Sequence, residues 1–158
     1  MSELYDIDAI SKDIGSNKSK DVIALHVLTG CDITGKFRGK SKLPWVKGYL
    51  DSNEITLRYL ENFAAIEDPL IDIDVFEQFV RKIFCPGACV TDLATARWMA
   101  WTQTKNVDPL PPTKGALKEH VKRGWYAAKV FGQRAKDTVF TVLTYVSVLN
   151  IAKTLIHQ

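Results

Sequence analysis

The spacing of apolar residues is the feature that most constrains the fold of this chain. Its clearest example is a stripe of five residues at three- and four-residue intervals, Val75, Phe76, Phe79, Val80 and Ile83. This is the period of one face of an α-helix. Pro86 follows the stripe and cannot continue a helix interior. The pattern predicts an amphipathic helix that begins at Asp72 or Asp74.

Other segments show the same period between capping residues and breakers. They predict helices over residues 18–28, 44–50, 54–65, 91–101 and 114–131, and a shorter one from residue 6 or 8 to 14, stopped at 15–17. Asn53 and Thr113 stand where N-caps are expected, Pro44 suits a first helical turn, and Gly30 offers a left-handed stop. The apolar faces are expected to include Leu50 and Ile55.

No alternation of strand and helix is visible, so the expected fold class is mainly α, a helical array. Residues 138–152 contain no charge and are rich in β-branched residues, so they are compatible with either helix or strand. They fall short of the roughly 18 apolar residues of a membrane span. The first residues carry acids where a signal peptide needs cations. We therefore expect an intracellular protein, nuclear or cytoplasmic, and no membrane partner.

The segment "LTGCDITGKFRGKSK", residues 28–42, concentrates charge in a chain whose formal net charge is only +3. Its cations alternate with other residues, and glycines interrupt them. A glycine-containing turn before a helix N-terminus presents backbone N–H groups to anions, and the cations attract a phosphate chain. The residues predicted to bind a nucleic-acid backbone are Gly35, Lys36, Arg38, Gly39, Lys40 and Lys42. Such contacts are independent of base sequence.

A solvated connector is the alternative interpretation of this segment, with its cations serving only solubility. Asp32, the one acid among them, is then a turn residue whose side chain caps neighbouring N–H groups.

Other chemistry-bearing residues have structural interpretations as well as functional ones. Cys85 and Cys89 lack a second pair at zinc-ligand spacing and are expected to be a packed, reduced pair. His26 is expected in the core and His120 in a packing or capping role. The four tryptophans, Trp45, Trp98, Trp101 and Trp125, are interpreted as core anchors, with stacking on bases as the alternative. Lys118, Lys122 and Arg123 form a second cationic cluster, interpreted as a solvated face.

Four blocks of the chain resemble segments of one family, in the same order. "LHVLTGCDITGKFRGKSK" resembles the "LHxxTGCDxTxxFxGKxK" segment of mobile-element-related animal proteins that carry a PIN-like or flap-endonuclease-like domain. "LPPTKGALKEHVKRGWYAAKVF" resembles their "LPPTxxALxxHxxRxxYQxxxW" segment. "FEQFVRKIFCPG" and "LATARWMAW" resemble the two shorter blocks between them. The likeness covers residues 5–131 and assigns residues 132–158 to a divergent apolar tail.

The resemblance implies a helix–loop–helix clamp on duplex DNA, of the kind called H3TH, and a metal-binding role for Asp32. In such nucleases the remaining metal carboxylates lie on upstream parallel strands. We expect that parallel-sheet core to be missing here, since Asp32 follows so few residues, and one carboxylate cannot organise the metal ions of phosphoryl transfer. No cofactor is therefore certain, and Mg²⁺ is expected only if a nuclease core completes the site.

Three hypotheses follow. The first is a remnant of a structure-specific nuclease that binds the backbone of duplex or junction DNA but is inactive alone. The second is a helical protein–protein interaction module without nucleic-acid binding. The third is a nuclease completed by a partner chain that supplies the missing core.

Overall fold

The protein is represented by a computed structural model that describes residues 16–134. This range contains six α-helices and no β-strand. The helices are Ser16–Thr29 (α1), Lys42–Leu50 (α2), Glu54–Asn62 (α3), Ile73–Phe84 (α4), Leu93–Thr104 (α5) and Lys114–Arg134 (α6). The prediction of a mainly helical array is confirmed. The predicted helix before residue 15 and the apolar tail at 138–152 lie outside the described residues.

Two helices, α1 and α4, organise the array. α1 packs against α2, α3 and α6, and α4 packs against α2, α3, α5 and α6. Four residues of the apolar stripe of α4 are buried as predicted, namely Phe76, Phe79, Val80 and Ile83, and Val75 is half-buried against the core. Burial of these aromatic and branched side chains supplies the main driving force for assembly. A chain of aromatic contacts crosses the core and joins Phe37, Trp45, Phe79, Phe76, Tyr59 and Phe63.

Side-chain caps fix several helix starts. The side chain of Asn53 accepts a hydrogen bond from the backbone N–H of Thr56 at 3.0 Å, as predicted for the start of α3. Thr113 accepts one from the N–H of Ala116 at 3.2 Å, which caps α6. At α5 the capping residue is Asp92, one position later than the predicted Thr91.

The predicted stop at residues 15–17 lies partly outside the described residues, and Ser16 and Asn17 belong to α1. Two local expectations were wrong. Leu50 and Ile55 are exposed and not part of the core. Leu50 is the last residue of α2, and the buried side of α3 is instead built by Thr56, Tyr59, Leu60 and Phe63. Ile55 immediately precedes Thr56, and successive residues of a helix are rotated by about 100°, so its side chain points away from the buried side of α3.

None of the helices between residues 16 and 134 combines the length and the apolar character that crossing a bilayer requires.

Candidate nucleic-acid interface

The basic loop, which we define as residues 30–41 between α1 and α2, begins at an unusually well-capped helix end. The last four carbonyls of an α-helix have no intrahelical partners, and here three of them are satisfied by side chains from beyond the helix. The carbonyls of His26, Val27 and Leu28 accept hydrogen bonds, in that order, from Lys42, Thr34 and His120 over 3.0, 2.7 and 2.6 Å. One residue earlier, the carbonyl of Leu25 also accepts from the hydroxyl of Thr29 at 2.7 Å. Side chains distant in sequence therefore tie α6 and the start of α2 to the end of α1.

This capped end brings the two longest blocks of the family resemblance together. Thr34 and Lys42 belong to the first block and His120 to the second, and the side chain of His120 reaches a carbonyl 92 positions earlier in the chain. The predicted packing or capping role of His120 is confirmed, since its ring is buried and donates from Nε2 to Leu28. Burial is the main cause that lowers its pKa.

Lys42 faces inward, unlike the predicted phosphate ligands Lys36 and Arg38, which are exposed. Its ammonium contacts the Nδ1 of His26 at 3.0 Å and also donates to the hydroxyl of Thr29 at 3.1 Å. An ammonium can only donate, so Nδ1 of His26 is the acceptor and the ring is neutral. Burial, then the charge of Lys42, lowers the pKa of His26 to about 4, and burial lowers the pKa of Lys42 to about 8. The carbonyl of His26 is the third acceptor of the Lys42 ammonium. Lys42 therefore stabilises the contact between the start of α2 and the end of α1.

Phe37 anchors the middle of the basic loop in the core. Its ring is buried, with centroids 4.7 Å from Trp45, 4.7 Å from His120 and 6.2 Å from Phe84. Thr34 is buried as well, and its hydroxyl also accepts from the backbone N–H of Cys31 at 3.0 Å. The basic loop is thus fixed at two points.

The cations on either side of Phe37 point to solvent. Lys36 and Arg38 are both exposed, and Lys40 is half-buried with its ammonium 5.0 Å from the centroid of the Phe84 ring. Arg38 forms an ion pair of 3.1 Å with Asp108, in which both side chains are largely exposed. Ion pairs of this kind contribute little stability, so the guanidinium can exchange its partner for another anion.

The two glycines predicted to admit a phosphate have different surroundings. Gly35 is exposed, and a Cβ added there would meet no atom within 4 Å. Gly39 has a positive φ of 73°, and a Cβ there would lie 2.9 Å from the Cα of Pro109. Gly39 is therefore required by the turn and by the close approach of Pro109, whereas Gly35 leaves the backbone open.

The N-terminus of α2 follows the cations directly. Ser41 occupies the N-cap position, and its side chain makes no capping hydrogen bond to any described residue. The N–H groups of the first helical turn therefore lack a side-chain partner at a point where the helix dipole favours anions.

Asp32, the predicted metal ligand, is exposed at the start of the basic loop. Its charge acts on both His26 and Lys42, so it lies near the capped end of α1. Within residues 16–134, no group of three or more His, Cys, Asp or Glu side chains is placed to hold a metal ion. A metal role for Asp32 would need further ligands from elsewhere.

The tryptophans divide into two groups. Trp45 is a core residue, as predicted, and the half-buried Trp125 donates from Nε1 to the carbonyl of Ile66 at 3.0 Å. Trp98 and Trp101 are exposed, so their interpretation as core anchors was wrong. The reason is that α5 buries only Leu93 and Ala96, on a face that its tryptophans do not share.

The remaining candidates are exposed or half-buried. Cys89 is exposed, so it does not form a packed pair with the half-buried Cys85; the cysteines are free thiols. Lys118, Lys122 and Arg123 are all exposed, as predicted, and Lys122 pairs with Glu119 at 2.8 Å. His26 is half-buried rather than a core residue, because its ring meets Lys42 at the edge of the fold.

Comparison of this chain with protein-family models, with curated proteins and with solved structures gave no match. The resemblance to PIN-like and flap-endonuclease-like proteins therefore stays a prediction.

Proposed function

We propose that the outer side of the basic loop binds the sugar–phosphate backbone of duplex DNA without reading its sequence. The observation that carries the proposal is the alternation around Phe37. Phe37 is buried in the aromatic core, while its neighbours Lys36 and Arg38 are exposed. An anchored loop holds its cations in place before binding, which reduces the entropy lost when a ligand immobilises them.

Two further features support an anionic backbone as the ligand. Gly35 leaves room for close approach beside Lys36, and the N-terminus of α2 adds partial positive charge. Both features favour phosphate oxygens, which need no particular base sequence. Lys42 is not part of the proposed contact, because its ammonium already has three acceptors.

The salt dependence of binding reports how many phosphates the basic loop neutralises. Each neutralised phosphate of a duplex contributes a slope of about −0.9 in log K against log salt. Lys36, Arg38 and Lys40 together therefore predict a slope near −2.7, provided that Arg38 leaves Asp108, and the ammonium of Lys40 leaves the Phe84 ring, for a phosphate.

The test is titration of a labelled short blunt duplex with the full chain, between about 50 and 200 mM salt. We expect the double variant Lys36→Glu/Arg38→Glu to lose most of the affinity at the lower salt. A control double variant, Arg58→Glu/Lys82→Glu, changes the net charge equally at exposed positions of α3 and α4. This control should retain most of the affinity and the wild-type slope.

Equal losses in the two double variants would mean that net charge, and not the basic loop, governs binding. Duplex affinity that is unchanged in Lys36→Glu/Arg38→Glu would reject the proposal outright. Duplexes of different base composition should bind alike, and a strong preference among them would argue against a backbone contact.

A further inference from the structure

The exposed side of α5 carries a pair of tryptophans that the backbone contact does not use. Trp98 is 65% exposed and Trp101 is 37% exposed. Their ring centroids lie 5.6 Å apart with an interplanar angle of 28°, and the ammonium of Lys105 lies 4.2 Å from the centroid of Trp101. We call these three residues the aromatic platform.

We propose that the aromatic platform stacks unpaired bases of single-stranded DNA. Aromatic side chains that bind single strands without sequence preference combine open ring faces with neighbouring cations for the phosphates. Trp98 offers the larger open area, and Lys105 supplies the cation. In the free protein Lys105 rests on Trp101, where a cation–π contact holds it near the rings.

Lys105 is the cation that the platform offers to a polyanion. Residues 93–107 contain two cations, Arg97 and Lys105, and no Asp or Glu, and one acid borders this range on each side. Arg97 already donates to a backbone carbonyl, which leaves Lys105 as the cation of the platform. Lys105 also offsets the partial negative charge at the C-terminal end of α5. The platform shares its exposed side with polar residues such as Thr95 and Thr102. The core of a protein–protein interface is instead depleted in charge and largely apolar.

The aromatic platform also adjoins the basic loop. Lys105 and Asp108 are three residues apart, which limits their Cα separation to about 11 Å. Asp108 pairs with Arg38 of the basic loop, and Pro109 packs against Gly39. A strand that leaves a duplex held by the basic loop would therefore meet the aromatic platform next, and this last step rests on the proposed backbone contact.

The test measures binding of the full chain to three DNA probes. They are a single strand of about 10 thymidines, a short blunt duplex, and the same duplex with a thymidine extension. We expect Trp98→Ala to weaken binding of the single strand by roughly tenfold, since stacking contributes on that order per base. Trp101→Ala should have a smaller effect, and Trp98→Phe should retain most of the affinity because it keeps a stacking ring.

The matched control is Tyr126→Ala, which removes an aromatic side chain of similar exposure, 68%, from α6. It should leave single-strand affinity unchanged. Because these positions are exposed, all variants should melt at nearly the wild-type temperature, which separates a binding defect from unfolding. Quenching of tryptophan fluorescence by the single strand, weaker in Trp98→Ala, is a second readout of stacking.

The two proposals fail in distinguishable ways. If Trp98→Ala and Trp101→Ala bind the single strand and the extended duplex as tightly as the wild type, the aromatic platform does not stack bases, whatever the blunt duplex shows. If Lys36→Glu/Arg38→Glu binds the blunt duplex as tightly as the wild type while Trp98→Ala weakens binding of the single strand, the backbone contact is wrong and the stacking proposal stands. Concentration-dependent self-association that Trp98→Ala abolishes, with single-strand binding unaffected, would instead identify the face as a contact between copies of this chain.

Discussion

Replacement of Phe37 by alanine should detach the basic loop from the core while leaving all of its cations in the chain. Phe37 is 8% exposed and contacts the rings of Trp45, Phe84 and His120. Truncation of a buried phenylalanine costs about 3–5 kcal/mol, from lost burial and from the cavity. Because a loop can collapse more readily than a helix, we expect the lower figure, ~3 kcal/mol.

Urea unfolding of the full chain, followed by far-UV circular dichroism, measures this cost. With a slope of ~2 kcal/mol/M for a protein of this size, the midpoint should fall by ~1.5 M. Phe37→Leu conserves most of the apolar volume and should lose less than ~1.5 kcal/mol. Lys36→Ala, at the exposed neighbouring position, should stay within about 0.5 kcal/mol of the wild type.

Duplex binding gives the second readout of the same variants. Under conditions where Phe37→Ala remains folded, its affinity should fall well below that of Phe37→Leu, although neither change alters a charge. The reasoning is refuted if Phe37→Ala costs less than ~1 kcal/mol, or if it unfolds at the lower midpoint but binds duplex like the wild type. In either case the basic loop would not depend on its aromatic anchor.

Three further predictions concern single residues. Gly39→Ala should destabilise by ~2 kcal/mol in thermal or urea unfolding, because its φ is 73° and the new Cβ would press on Pro109; Gly35→Ala, with open space around it, should change stability by less than ~0.5 kcal/mol, and equal effects would contradict this account. Acidification should destabilise the fold through His26. The pKa of His26 is about 4 in the folded protein and 6.5 in the unfolded chain, so the unfolded chain binds the proton more tightly. The contribution of the neutral ring to the free energy of unfolding is therefore complete above pH 6.5 and is lost as the pH falls towards 4. This difference in pKa corresponds to ~3 kcal/mol, which solvent screening of the half-buried ring reduces to ~1 kcal/mol. A His26→Gln variant should lose less stability than the wild type between pH 6.5 and 4. If both lose the same stability, His26 is not the cause. Asn53→Ala should destabilise by ~1 kcal/mol through loss of the cap of α3, with Asn53→Asp retaining stability as the control; equal losses in both would show that the cap contributes nothing.

The helices and their starts could be predicted because the signals for them are local. The stripe of α4 lies at helical spacing, and the caps at Asn53 and Thr113 act on N–H groups three residues away. The position of Gly30 at the end of α1 is likewise local, since its φ of 105° suits glycine. For these elements the pattern and the hydrogen bond that it predicts lie within one turn of the chain.

The surface properties of the candidate interface could not be predicted in the same way. Lys36, Arg38 and Lys42 are equivalent as cations in the sequence, yet only the first two face solvent. The inward orientation of Lys42 depends on acceptors at the end of α1, which its ammonium reaches only because α2 packs beside that helix. Spacing alone does not specify that packing.

Sequence by itself determined that this chain forms a helical array with a basic, glycine-containing connection after its first described helix, because helix period, caps and stops are encoded within a few residues. Tertiary structure alone decided which of those basic side chains are available, that His120 closes a helix end 92 positions earlier, and that Trp98 and Trp101 lie outside the core. The physical reason is that burial and capping depend on which elements cover a given face, and those neighbours are distant in the chain.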